Sequence, residues 1–148
     1  MSTPASVPPA ISLVTLGVAD VPVSTAFYQR LGFPLSSASV PGEVSFFRTA
    51  GGLLGIYGAN ALAADACLPP ASPGFSGVSL AINVASEEAV DAAMKMASES
   101  GAAIIKPAQA TEWGGYHGYF TDPDGHAWEV AHNPGWPLND AGLPELPV

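Results

Sequence analysis

Apolar and polar positions along this chain change period twice in the same order. Apolar and β-branched residues crowd 11–18 and again 78–84, two runs that share a Ser-Leu pair, and each predicts a β-strand. A helical pattern follows each run. Asp20 is the candidate N-cap of the first helix, with Pro22 close behind, and Val23, Phe27 and Leu31 fall four apart before Gly32 stops it. Ser86 caps the second, Glu87 and Glu88 suit its positive end, Val90, Met94 and Ala97 mark its apolar face, and Gly101 ends it. Met94 and Met96 on that helix are expected to fill core gaps rather than contact a ligand.

After each helix comes a strand pair joined by a glycine turn. In the first half it is Val44-Ser-Phe-Phe, Ala50-Gly-Gly and Leu53 to Tyr57; in the second it is Gly118-Tyr-Phe, Asp122-Pro-Asp-Gly and Ala127 to Val130. Pro123 presets one turn dihedral and Gly125 supplies a positive-φ position, so the second pair is a hairpin signal with a mechanism. A further short strand is expected near 33–39 and near 103–106. Phe46, Phe47 and Phe120 are expected in the core. The pattern gives an α+β domain over 11–134, made of modules 11–58 and 77–132. An Ala- and Pro-rich linker over 59–76 joins them, an expected disordered lead-in precedes them over 1–10 and an extended tail follows over 135–148, whose Trp136 is expected to lie against the body.

Two half-sheets closing toward each other leave a cleft lined by alternate strand residues. Alternation puts Leu13, Thr15, Gly55, Tyr57, Ser79, Ala81 and Glu129 inside, with either Tyr116 or Tyr119, and Trp113 and Tyr116 in or near a glycine-rich loop that lines or lids the pocket. Glu129 stands between Ala127 and Ala131 on its own face, so a carboxylate looks into a hollow with room around it. There it can ligate a metal, exchange a proton or orient a polar ligand. His126 and His132 flank it at a spacing that suggests a metal motif, yet strand alternation sends both to the opposite face with Trp128 and Val130.

Composition narrows the chemistry. One hundred and forty-eight residues suit a single domain with one substantial core. Cys67 is the only cysteine, which excludes an intrachain disulfide and a multi-cysteine metal site; its surroundings, Leu-Pro-Pro after it and no nearby His, give no sign of a nucleophile. A cytoplasmic setting is the expectation. Thirteen acids against Arg30, Arg48, Lys95 and Lys106 give a formal charge of -9, which disfavours nucleic acid and anionic membranes as partners. No apolar run reaches the roughly 18–20 residues of a membrane span.

Three stretches carry a resemblance: Thr15-Leu-Gly-Val-Ala-Asp, Phe27-Tyr-Gln-Arg-Leu-Gly-Phe, and Gly118-Tyr-Phe-Thr-Asp-Pro-Asp-Gly-His-Ala-Trp-Glu-Val. Over 11–134 the chain resembles the vicinal oxygen chelate superfamily, which groups glyoxalase I, bleomycin-resistance proteins and extradiol dioxygenases. The resemblance implies two βαβββ modules forming an open-barrel cleft around a small-molecule ligand, and a homodimer. It also implies four metal-ligand positions, which fall here on Leu13, Gly55, Ser79 and Glu129. Only Glu129 ligates well, so the expectation is a site with no metal and no other cofactor. Two functions follow: a binder holding an aromatic or amphipathic small molecule among Tyr57, Trp113 and Tyr116, or a glyoxalase-like lyase or dioxygenase-related enzyme in which Glu129 is the general base or a remnant metal ligand.

Overall fold

A computed structural model describes residues 6–148; of the expected lead-in, positions 1–5 lie outside the described residues. The first half comprises β1 (Leu13–Val18), α1 (Val21–Arg30), β2 (Val44–Thr49) and β3 (Gly52–Gly58). A short helix, α2 (Ala59–Asp65), opens the connecting segment, where Ala-Asn-Ala-Leu-Ala-Ala is rich in the best helix former. The second half comprises β4 (Ser79–Asn83), α3 (Glu87–Glu99), β5 (Ala103–Ala110), β6 (Tyr116–Thr121) and β7 (Ala127–His132).

The strands form two sheets, ordered β1-β3-β2 and β4-β7-β6-β5. In each, the first strand pairs in parallel with the last, β1 with β3 and β4 with β7. A parallel pair needs a long crossover, which α1 and α3 begin. The fold is α+β, and the two sheets do not close into a barrel, so an open cleft is left. Segment 33–39 differs from the expected strand: it meets β2 through the single bridge between Leu35 and Phe47, two backbone bonds, Ser36 N to Phe46 O and Arg48 N to Pro34 O, and the Ser39 hydroxyl, which accepts from Phe46 N at 2.9 Å. Pro34 has no N–H to continue the ladder. Strand β5 runs past its expected end at 106 and carries Pro107 within the second of two register shifts, that between Lys106 and Gln109. A sheet edge is where proline and bulges are tolerated.

Both helices start where their caps predict. Asp20 accepts from Val23 N at 3.1 Å and Ser86 from Ala89 N at 3.1 Å. The buried face of α1 is Val21, Ser24, Phe27 and Tyr28, and Val23 is 52% exposed. At 100° per residue Val23 stands on the far side of the helix from Val21. For the same reason Met94 is in the core while Met96, two positions on, is 51% exposed. Phe47 and Phe120 are in the core, but Phe46 points the other way, over Gly55.

One core serves both halves. Leu16, Val18, Leu54, Ile56 and Phe47 from the first sheet join Phe120, Trp128 and Val130 from the second, with Phe27, Tyr28, Val90 and Met94 from the helices. Tyr28 lies at its centre, 6.0 Å from the Phe47 ring and 5.9 Å from that of Trp128. Full burial of each such side chain contributes roughly 1.5–3 kcal/mol.

The acidic β6–β7 turn clasps the halves together. Buried Asp122 accepts from Tyr28 Oη at 2.6 Å and from Asp124 N and His126 N at 2.9 Å each. Asp124 accepts from Ala19 N at 2.7 Å and Ser24 Oγ at 2.8 Å. Gly125 adopts φ 86° and its N–H closes the turn on Asp122 O at 3.0 Å.

Candidate functional site

Because the helices and the shared core take one face of each sheet, the other face is left without a helix over most of its area. In the second sheet that face carries Ser79, Ala81, Ala127, Glu129 and Ala131, and the register brings Tyr119 opposite Glu129 and His117 opposite Ala131. Lys106 pairs with Tyr119 and joins the same face from β5. His117, only 8% exposed, places Nδ1 2.6 Å from Glu129 Oε2 and Nε2 3.1 Å from Lys106 Nζ. A lysine ammonium only donates and an ionised carboxylate only accepts. The chain is therefore satisfied when His117 carries its proton on Nδ1 and accepts from Lys106 at Nε2.

Two aromatic rings brace this chain. Tyr119 lies 5.4 Å from the His117 ring and Trp113 lies 5.8 Å from it, both edge-on. Burial raises the Tyr119 hydroxyl above its ordinary value, and the negative charge of Glu129 opposite raises it further. A hollow of about 540 Å³ opens on this face, with Lys106, Tyr119, Ser79 and Thr121 among its walls and Phe75 and Ile105 as its large apolar side chains.

The predicted residues do not all meet there. Ser79, Tyr119 and Glu129 share the helix-free face of the second sheet, with Trp113 in the loop above it. Tyr116 does not: it stands on the helix side, where its hydroxyl donates to Asp91 of α3 at 2.7 Å. An even-numbered residue of β6 points opposite to His117 and Tyr119. Leu13, Thr15 and Gly55 cluster on the helix-free face of the first sheet, where a Cβ on Gly55 would lie 3.2 Å from Thr15 Oγ1 and 3.3 Å from Leu13 Cδ1. Tyr57 lines a separate hollow with Pro22 and Glu43.

A second apolar hollow, of about 490 Å³, lies between β1 and β4 with Trp128 in its wall, and it is the tail's Leu143, with Pro144, that lines its rim. Trp136 stays 42% exposed. His126 and His132 each bond a backbone carbonyl, Gly17 O at 2.7 Å and Val84 O at 3.1 Å.

His117 and Lys106 are the members of this candidate site that sequence reasoning passed over. Choosing Tyr119 over Tyr116 as inward-facing would have placed His117 inward as well, since the two are separated by one position. Lys106 had no such signal, because the bulge in β5 breaks simple alternation.

The helix-free faces give a divalent metal little to bind. Of the four family positions, Leu13 and Gly55 offer no donor atom and Ser79 only a hydroxyl, while the space beside Gly55 is already taken up by Thr15 and Leu13. Glu129 has a histidine beside it, but both imidazole nitrogens are engaged and an ammonium stands at the second. Among the described residues no group of three or more His, Cys, Asp or Glu is placed to hold an ion.

A family model, Glyoxalase/Bleomycin resistance protein/Dioxygenase superfamily, matches residues 10–130. The chain belongs to this superfamily. Among solved superfamily structures, it is similar to a glyoxalase-related enzyme from Fulvimarina pelagi, with 31% identity, a TM-score of 0.83, and coverage of 95% of this chain and 99% of that one. It is similar to a glyoxalase/bleomycin resistance protein/dioxygenase from Nocardioides at 26% identity and TM-score 0.71, covering 87% and 86%. Lactoylglutathione lyase from Agrobacterium tumefaciens shares the fold at 22% identity and TM-score 0.68, covering 89% and 99%. No curated protein matches.

Proposed function

We propose that this superfamily member is a metal-free small-molecule-binding protein whose ligand sits on the helix-free face of the second sheet. The observation that carries the reading is the bonding of Glu129. Its carboxylate is held by His117 at 2.6 Å inside a chain ending on Lys106, beside a hollow with apolar walls. A concave apolar surface with a few placed polar groups is what small-molecule recognition requires. Elemental analysis of protein purified without chelator tests the metal-free part: stoichiometric nickel, zinc, iron or manganese would overturn it. A thermal-shift screen of small aromatic compounds tests binding, because a ligand of the folded state alone must raise the melting temperature.

The same chain of side chains supports a second reading, an enzyme in which Glu129 is the general base toward a carbonyl-bearing substrate. Glu129 Oε2 is engaged by His117, and the imidazole links the carboxylate to Lys106 across the site. Loss of turnover with retained binding in Glu129→Gln would favour this reading; loss of binding with no turnover in either protein would favour the first. A homodimer belongs to the proposal too. Its support is the pair Leu13 and Leu53, opposite each other on the helix-free face of the first sheet and each more than 40% exposed.

A further inference from the structure

Resting on the binding reading, we propose that the ligand class of the hollow in the second sheet is an amphipathic carboxylate. The carboxylate docks on Lys106 Nζ and the apolar body lies against Phe75 and Ile105. Among the described residues that line this hollow, Lys106 is the only one charged at neutral pH, and no acidic side chain joins it. In a chain of net charge -9 with four cationic side chains, that placement singles out an anion. The other cations are differently engaged where partners are described: Arg30 donates to Ser100 O at 3.0 Å and Lys95 pairs with Glu99 at 3.9 Å.

Lys106 has three donors. One is used on His117 Nε2 at 3.1 Å, and among the described residues it forms no direct ion pair. Its charge is therefore held in place by a neutral acceptor rather than cancelled by a carboxylate, with donors left for a ligand oxygen. Glu129 accomplishes this at one remove: by accepting from Nδ1 it fixes the tautomer that leaves Nε2 free to accept from the lysine. Glu129 and His117 are positioning residues, and Lys106 is the binding residue. Phe75, 73% exposed, and Ile105, 63% exposed, are large apolar side chains that a ligand body would cover. The hydroxyls of Ser79, Tyr119 and Thr121 complete a small polar rim.

The test is an NMR titration of the full chain with three probes of one shape: 3-phenylpropanoate, 3-phenylpropanamide and 3-phenylpropylamine. The carboxylate should shift the amide resonances of Ser79, Tyr119, Thr121 and Ala127 and bind about tenfold more tightly than the amide, as a charge-assisted hydrogen bond implies. Lys106→Met should erase that preference, so that carboxylate and amide bind alike; the side chain is exposed and makes one hydrogen bond, so the variant's fold is checked in the same spectra. Glu129→Gln should weaken carboxylate binding less than Lys106→Met does and shift the His117 ring-nitrogen resonances, which loss of simple packing would not do. Tighter binding of the amine, or a carboxylate preference that survives Lys106→Met, would overturn the anion assignment and leave the hollow as a binding site. Failure of all three probes to shift resonances in the hollow would overturn the binding reading with it.

Discussion

At the scale of single residues, Asp122 and Glu129 show how two carboxylates in one hairpin acquire different tasks. Asp122 is buried and accepts from one tyrosine hydroxyl and two backbone amides, so Asp122→Ala would strand the buried Tyr28 hydroxyl and two part-buried amides. We expect a loss of about 3 kcal/mol in denaturant unfolding, the upper part of the cost of unpaired buried groups. Tyr28, its partner, is raised well above the ordinary tyrosine range, first by burial and then by the Asp122 charge and hydrogen bond. The folded state then keeps a proton that the unfolded state gives up, so this contribution is fully present below the unfolded value of about 10 and lost as pH rises past it. Unfolding free energy measured from pH 8 to 11.5 should hold and then fall. Tyr28→Phe should be less stable at neutral pH but show a shallower alkaline fall. The hairpin itself was legible as sequence, since Pro123 and Gly125 dictate it; the clasp on Tyr28 was not, because that contact spans 94 positions.

At the scale of elements, the caps and the glycine turns were readable, because Asp20, Ser86 and Gly125 act on groups within four residues of themselves. The inward direction of β6 was not, since Tyr116 and Tyr119 suit either face until β7 is laid beside them. Gly118 makes that packing testable. A Cβ there would lie 2.9 Å from Met94 Cε, 3.0 Å from Lys106 O and 3.1 Å from Ala108 N. Met94 can yield, but the backbone of β5 cannot without moving the strand that carries Lys106. Gly118→Ala should therefore cost about 1–3 kcal/mol, the usual cost of overpacking, with little recovery when Met94→Ala is added. Calorimetry of the single and double variants checks this; full recovery in the double variant would show that Met94 alone sets the limit.

At the scale of the whole molecule, the repeat of parallel first and last strands builds two similar half-sheets around one core. No helix among the described residues is long and apolar enough to cross a membrane. The helix-free face of the first sheet keeps Leu13 and Leu53 exposed side by side, a patch that a second copy could cover with two-fold symmetry. Sedimentation velocity should find a dimer for the native chain and a monomer for Leu53→Asp. A native monomer would remove the dimer from the proposal.

The sequence by itself determined the two-fold repeat, the helix starts, the acidic hairpin and the face on which Glu129 stands, because each depends on spacing along the chain and on local backbone chemistry. The superfamily was legible for the same reason, in three short stretches whose turns and caps are local. Only the tertiary structure decided what Glu129 touches. His117 reaches it across a strand pair and Lys106 reaches His117 across a bulged edge, and neither register is written in the period of a single strand. Glu129, the one family position that could ligate well, is one end of a three-membered chain, and the charge beside the hollow is the lysine at the other end.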